Sequence, residues 1–88
     1  MRNPDYILTH ARQILGERAN DYGDFRVMSD RMATMMGAQI GVKMSPSQSL
    51  LIMAQLKMAR LSAKSKTDSY LDAINYIALA WASEDDYE

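Results

Sequence analysis

Apolar residues recur along this chain at three- and four-residue steps, the period of a helix with one buried side. Four such stretches stand out, and no stretch alternates in the manner of a strand. In the first, Ile7, Leu8, Ala11, Ile14 and Leu15 fall on one side of a helix that opens at Asn3-Pro4-Asp5 and ends near Arg18 or Ala19. Asn3 is suited to cap free amides, Pro4 to the first helical position, and Asp5 to the positive end of the helix dipole. Asn20-Asp21-Tyr22-Gly23-Asp24 reads as a turn. A second helix follows, with Phe25, Met28, Met32, Met35 and Met36 as its apolar stripe, weakening at Gly37 and Gly41. Ser45-Pro46-Ser47-Gln48 has capping-box spacing with proline at the first position. It starts a third helix that is expected to run to about Ser62. After the polar connector Ala63-Lys64-Ser65-Lys66, Thr67 is expected to cap a fourth helix, with Tyr70, Ile74, Ile77 and Trp81 as its apolar stripe.

The predicted fold is therefore all-α. It is a small four-helix antiparallel bundle with the hairpin of helices three and four at its centre. Residues 1–83 are expected to form a single helical domain and residues 84–88 an acidic tail. Helix three is apolar on two sides: Leu50, Leu51, Ala54, Met58 and Leu61 on one, Ile52, Leu56 and Ala59 on the other. A single small chain has few elements with which to cover both. A homo-oligomer is therefore expected, most simply a dimer through helix three or the Met-rich helix two.

Composition narrows the chemistry. The chain has 88 residues, no Cys and one His. That excludes disulfides, thiolate nucleophiles and multi-His zinc sites. No apolar run approaches membrane-spanning length, and no signal peptide is apparent, so the expected location is the cytoplasm and no membrane partner is expected. His10 lies off the main stripe and reads as a surface residue without partners for a hydrolase triad.

Charge changes the picture more than composition does. Residues 31–67 hold Arg31, Lys43, Lys57, Arg60, Lys64 and Lys66 and no acid, whereas residues 68–88 hold six acids and no Lys or Arg. One reading pairs a basic hairpin arm with an acidic one. The other places an anion site on the basic arm. Duplex nucleic acid is disfavoured, because no aromatic residues interleave the cations and an acidic tail follows.

The candidate site joins helices three and four. Lys57 and Arg60 share one face, and Asp68, Asp72, Asn75 and Tyr76 share the polar stripe of helix four. Read as structure, this is a salt-bridge network that sets hairpin register. Read as function, Arg60 and Lys57 hold phosphate oxygens while Asp68 or Asp72 orients them or holds a divalent cation, magnesium being the one candidate cofactor. Arg18 and Tyr22 belong to a second cluster at the end of helix one, which reads either as a helix terminus followed by a turn or as a loop bordering a small-molecule site. No catalytic residue is assigned.

Arg18-Ala19-Asn20-Asp21-Tyr22-Gly23 resembles an Arg-x(2–3)-Tyr-Gly element, and Lys57-x-x-Arg60-Leu61 followed by Asp68-x-x-x-Asp72-x-x-x-Tyr76 completes a signature over roughly Ile7 to Ala80. Together they resemble a family of small, uncharacterised helical domains of tailed phages and prophages. The resemblance implies a phage origin and a role inside the infected cell, but no activity. Leu71-Asp72-Ala73-Ile74-Asn75-Tyr76 is also similar to the later, Asp-bearing helix of MazG-like all-α nucleoside triphosphate pyrophosphatases. That family binds magnesium through Glu-x-x-Glu and Glu-x-x-Asp pairs. Here Ser69 stands where a Glu belongs, and Lys57 and Arg60 stand where acids are expected. The carboxylate set is incomplete, so the reading leans away from catalysis. Three functions follow, in order: binding of a nucleotide or other phosphorylated small ligand between the last two helices; interaction with a host protein as inhibitor or adaptor; and a divergent magnesium-dependent pyrophosphatase.

Overall fold

The computed structural model describes residues 1–18 and 25–84. They form four helices: α1 (Pro4–Arg18), α2 (Phe25–Ile40), α3 (Pro46–Arg60) and α4 (Thr67–Ala82). No strand occurs among the described residues. Helix α1 begins as its sequence dictates, with the Asn3 side chain accepting the Asp5 amide at 3.0 Å. The box at the start of α3 is closed in both directions. Gln48 N–H donates to Ser45 Oγ at 3.1 Å, and Ser45 N–H donates to Gln48 Oε1 at 2.8 Å. Each bond satisfies an amide that the first helical turn leaves unpaired.

Helix α2 ends through two glycines with different tasks. Gly41 takes a φ of 75°, the left-handed conformation that closes many helices. This lets the amides of Gly41 and Val42 both reach the Gly37 carbonyl, at 2.8 and 3.0 Å. Gly37 is buried, and a Cβ there would stand 2.6 Å from the Val42 carbonyl oxygen. The turn can therefore fold back over α2 only where no side chain intervenes.

The most extensive packing is α3 against α4. Helix α2 packs on α3, α1 packs on α4, and α1 and α2 have no comparable contact. The order in space is α2, α3, α4, α1, with the hairpin central. The hairpin's register is visible at both ends: Ser47 Oγ donates to Glu84 Oε1 at 3.4 Å, and Lys57 reaches Asp72. The buried core is built from few large and many small side chains: Leu50, Ala54, Leu71, Ala73 and Ala80 within the hairpin, Ala11 from α1 and Ala33 from α2. Ser29, Ala33 and Gly37 form a buried stripe of small residues on α2. Across from it, the Ser49 hydroxyl donates to the Pro46 carbonyl at 2.7 Å and lies 3.3 Å from the Ser29 carbonyl. Small residues there let the two backbones approach.

Two expectations about elements need correction. Helix α3 ends at Arg60 rather than Ser62, because residues 61–63 turn over with amides bonded three residues back. Thr67 is the first residue of α4 and not its cap. Lys66 holds the extended cap conformation (φ −130°, ψ 136°) with no side-chain bond to the helix. The apolar stripe of α4 lies mostly outward: Tyr70 is 47%, Ile77 47% and Trp81 60% exposed, and Ile74 is half-buried. Ser69, Leu71, Ala73 and Ala80 occupy the buried side instead. Close approach to α3 favours these smaller side chains and leaves the bulkiest ones outside.

Candidate ligand site at the α1, α3 and α4 junction

Asp72 is the centre of the charged cluster. It stands in the second turn of α4, about five residues after the helix begins, on the side turned toward α1 and α3. Lys57 Nζ approaches its Oδ2 at 3.2 Å, and Arg18 Nη1 approaches its Oδ1 at 3.2 Å. One carboxylate thus ties three helices together. The Lys57 and Asp72 side chains are 19% and 18% exposed, whereas Arg18 is 46% exposed and screened by water on its outer side. One turn along α4, Asn75 Nδ2 donates to the Ala11 carbonyl at 3.0 Å. Ala11 is 1% exposed, and its small side chain leaves the carbonyl reachable. Asn75 and Asp72 therefore pin α1 at its middle and at its C-terminal end. Tyr76 is half-buried on the same side of α4.

Two other residues singled out in the sequence do not join this junction. Arg60 and Asp68 are exposed, and neither forms an ion pair with a described residue. The reason is angular. Three residues of helix carry Arg60 about 60° around the axis from Lys57, away from Asp72. Tyr22 lies outside the described residues. The expectation of two separate clusters fails for Arg18, which belongs with Lys57 and Asp72. Its position in the last turn of α1 was legible, but the docking of α1 on α4 was not. Asn75 has a definite task in that docking.

His10 is half-buried rather than on the surface, with its ring edge-on to Tyr6 at a centroid distance of 6.1 Å. A shallow depression along α1, lined by Thr9, Arg12, Gln13, Gly16 and Glu17, holds none of the residues singled out above. Among the described residues no group of three or more acids and histidines is placed to hold a metal ion. Also among them, no helix is long and apolar enough to cross a membrane.

Comparison with known proteins identifies relatives. A family model described as a domain of unknown function, DUF6378, matches residues 6–84. The Gene 55 protein of Mycobacterium phage L5 is 38% identical over 73 residues, covering 80% of this chain and 47% of that protein. The chain thus spans about half the length of the curated relative it matches. No solved structure shows a significant match.

Proposed function

The chain belongs to the DUF6378 family, and we propose that this phage-type protein binds a phosphorylated small ligand, a nucleotide or related phosphate, at the junction of Arg18, Lys57 and Asp72 without transforming it. The observation that supports this reading is the charge balance: two cations from different helices converge on one carboxylate, leaving the junction with one net positive charge. A planar guanidinium and a compact ammonium converging on one anionic group are the pair that grips phosphate oxygens. In the free protein Asp72 holds both cations in position and offsets their repulsion. A bound phosphate competes with Asp72 for the same donors. Asn75 and its bond to Ala11 keep α1, and with it Arg18, at the right distance.

Contact with a host protein through the Met-rich helix has less support, since Met28, Met32 and Met36 are half-buried and Met35 alone of that stripe is exposed. Pyrophosphate chemistry has less still, for want of a carboxylate set among the described residues.

Thermal shift against a panel of nucleotides, with and without magnesium, tests the reading. A ligand at one hundred times its dissociation constant adds about 2.7 kcal/mol of stability. The expected result is a shift that Lys57→Ala and Arg18→Ala remove. Asp72→Asn takes away the competing carboxylate, so it is expected to strengthen anion binding even as it weakens the fold. If no phosphorylated compound shifts the transition, or if Asp72→Asn abolishes a shift that the wild type shows, the proposal fails.

A further inference from the structure

The outward side of the α3/α4 hairpin carries Leu51 and Met58 on α3 and Tyr70, Ile74, Ile77 and Trp81 on α4. Four of these, Leu51, Met58, Tyr70 and Ile77, are 41–48% exposed, Trp81 is 60% exposed, and Ile74 is half-buried. The chain's own helices pack elsewhere. Asp72 and Asn75 reach α1, and Ser49 reaches α2, from positions roughly 130–170° around their helices from this side.

The spacing on this side is that of a helix seam. On α4, Thr67, Tyr70, Ile74, Ile77 and Trp81 follow one another at alternating steps of three and four. On α3 and the turn after it, Gln48, Leu51, Gln55, Met58 and Ser62 do the same. Such a repeat keeps one line of side chains facing a partner helix along its whole length. None of the ten is charged, in a chain where 24% of residues are. Depletion of charge with aromatics and Met retained is the composition of an interface core.

We propose that this face is the dimer interface of the protein, and that its occupant is the same face of a second copy related by a two-fold axis that lies in the interface and runs perpendicular to the helix axes. Three observations favour a second copy. In a two-fold interface a patch meets itself, so any net charge would repel its own image, and this patch has none. Next, the hairpin is electrically polar from end to end. Arg60, Lys64 and Lys66 lie exposed at the connector end, whereas Glu84, bonded to Ser47, lies exposed at the other. The two-fold axis turns one hairpin antiparallel to the other, so each basic end meets its partner's acidic end. Lastly, the area is adequate. Large side chains carry roughly 150–250 Å² each when free, so those exposed here offer on the order of 500 Å². With the flanking Gln48, Gln55 and Ser62 this approaches the roughly 800 Å² per partner of a stable interface. The result is a four-helix layer of two central hairpins, with each α1 and α2 outermost.

Sedimentation velocity on the full chain between about 1 and 100 µM tests this. The expected wild-type mass is twice 10.0 kDa. Ile77→Glu should give a monomer with unchanged helical circular dichroism. Gln55→Leu, which replaces a polar seam position by an apolar one, should lower the dimer dissociation constant by tenfold or more, and it does not depend on Ile77→Glu folding. Orientation is read by oxidising a mixture of Lys64→Cys and Glu84→Cys chains, which have no other cysteine. The mixed disulfide should exceed either homodisulfide. A wild type that stays monomeric at 100 µM overturns the proposal. So does a folded Ile77→Glu protein that remains dimeric, a Gln55→Leu chain with unaltered association, or homodisulfides in excess.

Discussion

Gly37 and Gly41 are four residues apart, yet alanine is expected to fail at each for a different reason. At Gly41 there is open space around a new methyl group but a backbone φ of 75°, which costs a non-glycine residue about 1–2 kcal/mol. At Gly37 the methyl meets the Val42 carbonyl oxygen, which is backbone and cannot swing aside. The expected loss there is about 1–3 kcal/mol. Urea denaturation of the two variants separates the effects, because adding Gly41→Ala to Gly37→Ala should give less than the sum if the turn has already moved. Both glycines were legible in the sequence as a weakened helix end. Which one needs its φ and which one needs its missing side chain depends on the path of residues 41–44, and no local pattern states that path. The charged residues behave similarly. Lys57 and Asp72 were legible as neighbours from the hairpin alone, but Arg18 is 54 residues from Asp72 and joins it only through the docking of α1.

The start of α3 is the most legible part of the molecule at the scale of elements, because Ser45, Pro46 and Gln48 carry their own hydrogen-bonding instructions. Ser45→Ala is expected to lose about 1 kcal/mol in the same denaturation assay. Thr67→Ala makes the contrasting case. Its hydroxyl gives no cap to α4, so the change should stay within about 0.5 kcal/mol. A loss at Thr67 equal to that at Ser45 would show that the threonine caps after all. The stripe of Tyr70, Ile74, Ile77 and Trp81 is legible as apolar and helical, yet the sequence does not state its direction. Periodicity shows that a helix has an apolar side. It does not distinguish a side that meets the core from one that stays exposed, and the smaller residues Ser69, Ala73 and Ala80 carry little hydrophobic signal despite being buried.

For the whole molecule, short connectors and four periodic stretches were enough to predict an all-α bundle with a central hairpin. The order α2, α3, α4, α1 was not predictable from them, since it rests on contacts such as Asn75 with Ala11 between residues 64 apart. With so few large buried side chains, the fold depends strongly on each. Leu50 is fully buried between the hairpin arms, and Leu50→Ala is expected to lose about 2–5 kcal/mol, read as a lowered midpoint of thermal unfolding. In an 88-residue chain that is a large part of the total stability. The proposed ligand site is the place where α1, α3 and α4 meet. It is tested most directly by titrating a nucleoside triphosphate, and separately inorganic pyrophosphate, into isotope-labelled protein while following backbone and arginine side-chain NMR resonances. Saturable shifts centred on Arg18, Lys57 and Asp72, lost in Lys57→Ala, are the predicted result. Shifts absent at millimolar ligand, or confined to Arg60, Lys64 and Lys66, would contradict it.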